Sequence, residues 1–168
     1  GARSRELPTM KIDGKKIIGY REAMVLPEIP KSMVIVGSGA IGVEFAYFYN
    51  SMGTKVTIVE FLPRIVPVED EDISKELEKS YKKNGITIMT SSEVTAVDTS
   101  GNGVKATVKN ATGETVLEAD VLLSAVGIAA NIEGIGMETL GIKIDKGRVM
   151  VDKYGQTNVP GIYSIGDC

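Results

Sequence analysis

Three glycines, Gly37, Gly39 and Gly42, stand at GxGxxG spacing in GSGAIG, directly after the apolar run MVIV and directly before residues spaced for a helix. In a strand-turn-helix setting each glycine serves a separate purpose. Gly37 permits the tight turn, Gly39 lets the backbone approach a pyrophosphate, and Gly42 lets the helix sit close to the strand. The unpaired amides at the helix start carry partial positive charge and would face the phosphates. Glu60 closes the next apolar run, KVTIVE, near the separation of about 20 residues at which an acidic side chain meets the adenosine ribose. Its carboxylate would accept from the ribose hydroxyls and repel a 2′-phosphate. The nearest arginine is Arg64, in the following loop, so the pattern favours NAD(H) over NADP(H). The bland readings are a set of turn glycines and a solvated strand-end acid. Glu44, on the first turn of the helix, has two readings: it interacts with the helix dipole, or it is aimed past the dinucleotide toward a reacting ring.

Other chemistries find little material. The 168 residues include no histidine and one cysteine, Cys168, so no disulfide or cysteine metal cluster forms within the chain. Its 19 basic residues are scattered among 22 acidic ones, unlike the clustered cations that displace counterions from nucleic-acid phosphates. No apolar run reaches the roughly 20 residues that cross a bilayer, and GARSRELPTM lacks the apolar core of a signal peptide. Neither a nucleic-acid nor a membrane partner is expected, and a cytoplasmic location is.

The elements that must hold these residues are legible in outline. Residues 1–30, punctuated by Pro8, Gly14, Pro27 and Pro30, read as a connecting arm that packs poorly by itself, with a short helix near Tyr20 to Met24. MVIVG reads as a strand buried on both faces. The following helix repeats Ile41, Phe45, Phe48 and Met52 and ends at Gly53; KVTIVE is the second strand. EDED at the start and lysines at the end of DISKELEKSYKKNG suit the dipole of a second helix, closed by Gly85, and GITIM is the third strand. Strand, helix, strand, helix, strand is the unit of a doubly wound α/β sheet. EVTAVDT, GVKATVKN and ETVLEADVLLSAVG, separated by SGN and ATG turns, predict a three-stranded antiparallel β-meander over the crossover. Short, glycine-rich elements follow, and GIYSIGDC predicts a last strand and turn.

With those elements in order, VIVGSGAIGVEFAYFYNSMGTKVTIVE, DISKELEKSYKKNGI, ADVLLSAVG and TNVPGIYSIGDC resemble, in type and sequence, the dihydrolipoamide dehydrogenases of the pyridine nucleotide disulfide oxidoreductase family. The resemblance runs from Gly1 to Cys168. It implies a Rossmann-like NAD-binding domain at residues 31–150, an arm from an FAD domain at 1–30, and a return toward that domain at 151–168. It implies a parent enzyme that oxidises dihydrolipoamide and passes electrons through a cysteine disulfide and FAD to NAD⁺. The parent would act as a homodimer on the lipoyl domain of a 2-oxo acid dehydrogenase complex. This chain alone would be inactive. Carried over by position, Gly37, Ser38, Gly39, Ala40, Ile41, Gly42, Val43 and Glu44 would meet NAD, Glu60 its adenosine ribose, Val94 the adenine region, and Gly127 the pyrophosphate or nicotinamide half. Glu44 would extend toward the flavin, and Gly1, Ala2 and Asp167 would lie along FAD. One departure stands out: Ile128, Ala129 and Ala130 replace the arginine and proline that family members carry before the asparagine, here Asn131. The alternatives are an NADH oxidase or coenzyme A disulfide reductase relative, or a non-catalytic nucleotide-binding module.

Overall fold

The computed structural model describes residues 1–168. In chain order its elements are β1 (Ala2–Ser4), β2 (Ile17–Ile18), α1 (Tyr20–Ala23), β3 (Ser32–Val36), α2 (Ala40–Ser51), β4 (Lys55–Val59), α3 (Glu71–Lys83), β5 (Thr87–Met89), β6 (Glu93–Asp98), β7 (Val104–Asn110), β8 (Gly113–Ala119), β9 (Val121–Ser124), β10 (Ile128–Ala130), β11 (Ile144–Asp145) and β12 (Arg148–Val149). They fall into two compact units, one of Glu6–Gly127 and one of Gly1–Arg5 with Ile128–Cys168.

The larger unit is built on a five-stranded parallel sheet of order β2-β9-β3-β4-β5. Its strands read as unbroken apolar runs because both faces are covered. Met33 and Ile35 of β3, with Val56 and Ile58 of β4, enter a core shared with Val43, Ala46 and Tyr49 of α2 and Tyr81 of α3. Val34, Val36 and Val59 point the other way, into a core with Val94, Val104, Ala106 and Val108 of the antiparallel sheet β6-β7-β8. The predicted meander is therefore present, and it forms the crossover from β5 to β9. Its last run divides: β8 ends at Ala119, and Val121–Ser124 leaves to join the parallel sheet between β2 and β3. The helix ends follow the predicted chemistry. Asp70 caps α3 by accepting from the Asp72 amide at 2.9 Å, while Gly53 and Gly85 take positive φ after α2 and α3.

Three expectations are extended or corrected. The segment before Ser32 packs onto the sheet: Met10, Ile17, Ile18 and Ala23 are buried, and Ile17–Ile18 is an edge strand of the parallel sheet. The Asp13 carboxylate sets up that strand by accepting from the amides of Lys15, Lys16 and Ile17. In α2 the buried stripe is Gly42, Val43, Ala46 and Tyr49, and Phe48 and Met52 are exposed. Small residues, Gly42 and Ala46, are needed where the helix presses on the strands; Ile41 and Phe45 pack partly against the same core, while Phe48 and Met52 fall outside it. Finally, GIYSIGDC forms no strand. Tyr163 makes an isolated bridge to Gln156, and positive φ at Gly161 and Gly166 bends the chain on either side of it.

The smaller unit pairs β1 with β10 and β11 with β12, both antiparallel, around Ala130, Ile132, Ile142 and Val149. Arg3 fastens β1 by donating to Ala130 O, Asn131 Oδ1 and both oxygens of Glu133, the shortest contact being 2.7 Å. That pairing holds the Glu133 carboxyl down at about 2.

Candidate nucleotide site

The turn between β3 and α2 sits at the carboxyl edge of the parallel sheet, where ligands of open α/β sheets are received. Two of its glycines are demanded by the protein itself. Gly37 has φ +99°, and a Cβ there would stand 2.4 Å from Ala125 O; a Cβ on Gly42 would stand 2.0 Å from Gly37 O. These two residues let strand, turn and helix close upon one another. Gly39 is different. Its φ of −68° and ψ of −176° suit any L residue, and a Cβ built there meets no atom within 4 Å. Neither backbone angles nor packing forbids a side chain at this position, where glycine also serves as a favoured N-cap. Gly39 is also the N-cap of α2, no side chain caps that helix, and its first helical bond runs from Val43 N–H to Gly39 O at 3.1 Å. The earlier amides of the helix have no intrahelical acceptor, and the position of a Cβ on Gly39 is open space. Such a main-chain cradle is of the kind that receives phosphates.

Glu60 follows β4 at the same edge and is 7% exposed. Its Oε2 accepts from the Ser38 amide at 2.8 Å and the Ser38 hydroxyl at 2.6 Å, and its Oε1 accepts from the Leu62 amide at 2.8 Å. The acid and the glycine turn, 22 residues apart in sequence, are thus directly joined. Arg64 is engaged elsewhere: its guanidinium donates to Pro67 O and Glu69 O. No hydrogen bond or ion pair joins it to Glu60.

The remaining expected site residues separate into three situations. Ala40, Ile41 and Val43 continue the first turn of α2, with Val43 packed into the helix-side core. Gly127, with φ +111° and open space where a Cβ would go, lies two residues beyond the Ala125 carbonyl that Gly37 approaches. Val94 is buried in the meander core; its segment reaches the site through Ser92, whose amide donates to Glu60 O at 2.9 Å. Glu44 is exposed and borders an apolar groove of about 350 Å³ with Ala23, Met24, Phe45 and Phe48. Its charge adds to the burial that pushes the Tyr81 phenol up. That Tyr81 hydroxyl donates to Val43 O at 2.8 Å and so ties α3 to the first turn of α2.

In the smaller unit, Gly1 O accepts from Asn131 N at 2.8 Å, Ala2 is buried opposite Ala130, and Asp167 is exposed with no hydrogen bond. Cys168 Sγ lies 3.1 Å from Ser164 Oγ. Sequence reasoning did not find the Leu62 amide, because a main-chain donor has no residue signature. Nor did it find Ser124, whose buried hydroxyl has no hydrogen-bond partner at the end of β9.

A doubly covered parallel sheet, with a glycine turn feeding a helix and an acid at the end of the next strand, defines a Rossmann-like α/β domain. The family model for pyridine nucleotide-disulphide oxidoreductases matches residues 1–168, and the chain belongs to that family. It is 49% identical to a dihydrolipoyl dehydrogenase of Rhizobium etli over 99% of this chain and 35% of that protein. A second, from Chlorobaculum tepidum, is 44% identical over 99% of this chain and 36% of the relative. The chain thus spans about a third of the length of these relatives. Among solved structures, LpdA of Mycobacterium tuberculosis superposes with a TM-score of 0.87 at 33% identity, covering 100% of this chain and 36% of that one. The HOCl-induced flavoprotein disulfide reductase RclA of Escherichia coli gives 0.84 at 28% identity, covering 99% of this chain and 38% of RclA. No helix is long and apolar enough to cross a membrane.

Proposed function

We propose that this chain is the NAD-binding portion of a dihydrolipoamide dehydrogenase. The observation that carries the reading is Gly39, a glycine whose Cβ position is open space, at the start of a helix that no side chain caps. A pyrophosphate seated there would receive the orphan amides of α2 and the positive end of its dipole. Glu60 would accept from the adenosine ribose on the free side of Oε1. With Arg64 bonded to main-chain carbonyls, a 2′-phosphate would face a carboxylate with no cation to offset it, so the cofactor is NAD(H). Val94 would lie toward the adenine region and Gly127 toward the pyrophosphate or nicotinamide half. Glu44, exposed beside Met24 and Phe48, is directed toward the flavin side, and Gly1, Ala2 and Asp167 belong to the FAD contact of the parent.

In the parent, FAD and NAD⁺ carry the hydride chemistry, with electrons supplied by dihydrolipoamide through a cysteine disulfide. What this chain contributes is orientation: with no histidine and only Cys168 among its residues, it anchors one partner so that an encounter becomes a positioned reaction. The relatives named as dihydrolipoyl dehydrogenases support the enzyme class; on this reading the parent is a homodimeric, cytoplasmic enzyme that works on lipoyl domains of a 2-oxo acid dehydrogenase complex. Titrating the chain with NADH and NADPH by calorimetry tests the reading. NADH binds and NADPH binds more weakly; equal affinities, or no binding of either, would remove it.

A further inference from the structure

We infer that Ser38 is a positioning residue that sets the choice between NADH and NADPH by pinning Glu60, and that it does not bind the phosphates. This rests on the proposed nucleotide site and gives the middle residue of GSG a role apart from that of its neighbours. The Ser38 amide and hydroxyl both end on Glu60 Oε2, at 2.8 and 2.6 Å. Ser38 is fully buried, so neither donor is presented to a ligand in the cradle. A carboxylate has about four acceptor positions. Ser38 takes both on Oε2, the Leu62 amide takes one on Oε1, and a single position on Oε1 is left for a ribose hydroxyl.

Two consequences follow. The two bonds to Ser38 keep the carboxylate from turning, so its one open acceptor is held in place before ligand arrives. The same bonds prevent Glu60 from swinging away when a 2′-phosphate approaches, and the repulsion is not relieved by motion. Removing the hydroxyl leaves the amide bond to Oε2 and frees an acceptor that faces the protein interior, where a ribose does not reach. The freed carboxylate gains mobility and no new contact with NADH. NADH is therefore held less well, and NADPH is rejected less strongly.

The test is a double-mutant cycle on the 168-residue chain, with NADH and NADPH affinities from calorimetry and folding checked by circular dichroism. Ser38→Ala weakens NADH by about tenfold, the scale of one charge-assisted hydrogen bond, and leaves NADPH within about twofold, so the preference narrows. Ser38→Thr keeps the hydroxyl and restores the preference. In a Glu60→Ala background Ser38→Ala has little further effect, because the group that Ser38 holds is gone. A general structural role would weaken both cofactors alike, and that result, or unchanged or tighter NADH binding in Ser38→Ala, overturns the inference. Failure of the wild-type chain to bind NADH would instead overturn the site itself, and the two failures are told apart by the unmutated titration.

Discussion

Replacing Gly39 with alanine separates binding from folding at this turn more cleanly than any other single change. The new Cβ has no atom within 4 Å, and the backbone angles of −68° and −176° need no adjustment. Alanine is a poorer N-cap than glycine by about 1 kcal/mol, and its stiffer unfolded chain returns about 0.4–1 kcal/mol. The net change in stability is then below about 1 kcal/mol, or roughly 2–4 °C in melting temperature for a chain of this size. Binding suffers far more. A methyl group in the cradle keeps the diphosphate from the amides of α2, and losing one or two hydrogen bonds to a charged group costs about 3 kcal/mol, or roughly two orders of magnitude in Kd. The neighbouring glycines provide the contrast. Gly37→Ala meets Ala125 O at 2.4 Å with φ at +99°, and Gly42→Ala meets Gly37 O at 2.0 Å; each costs at least about 2 kcal/mol in stability, from strain and overpacking. NADH titration alongside thermal melts of all three variants distinguishes the roles. If Gly39→Ala binds NADH as the wild type does, the open space is not where the diphosphate sits.

Glu60→Arg exchanges the proposed ribose acceptor for a cation: NADH affinity falls, and the disfavour toward NADPH shrinks or reverses, read from the two Kd values. Tyr81→Phe leaves Val43 O without its 2.8 Å donor, which costs about 1–2 kcal/mol in a denaturant melt. Acid titration of the smaller unit provides a third check. The Arg3 hydrogen bonds hold the Glu133 carboxyl down from 4.5 to about 2. A lowered carboxyl stabilises the fold fully above its unfolded value and loses that contribution as pH drops through the folded one. Protection of the β1–β10 amides in hydrogen exchange therefore declines between pH 4.5 and about 2, and Glu133→Gln removes that decline.

How much of this was legible depends on whether the determining contact is local. MVIVG and KVTIVE are readable as doubly buried strands because helices cover one face and the meander the other, so every position is apolar. Ile17–Ile18 is equally buried but only two residues long, and its strand character comes from pairing with Leu122 and Leu123, more than a hundred residues away. The α2 stripe misleads for a related reason. A reading by size selects Ile41, Phe45, Phe48 and Met52, of which the first two pack partly against the core, whereas close approach to the sheet selects Gly42 and Ala46, the residues with least to bury.

The glycine turn shows the same limit from the functional side. Spacing alone distinguishes GxGxxG from other sequences but cannot say which glycine serves the fold and which the ligand, since all three are identical in type. That division requires the carbonyls of Ala125 and Gly37, which block a Cβ at two positions and leave the third open. Likewise, Glu60 is recognisable as an acid at a strand end, yet its hold on Ser38 is a property of the folded turn. A dinucleotide site of this kind is thus half written in residue types and half in the distances between main-chain atoms. Substitutions at Ser38 and Gly39 should therefore alter recognition while leaving the sheet that supports it intact.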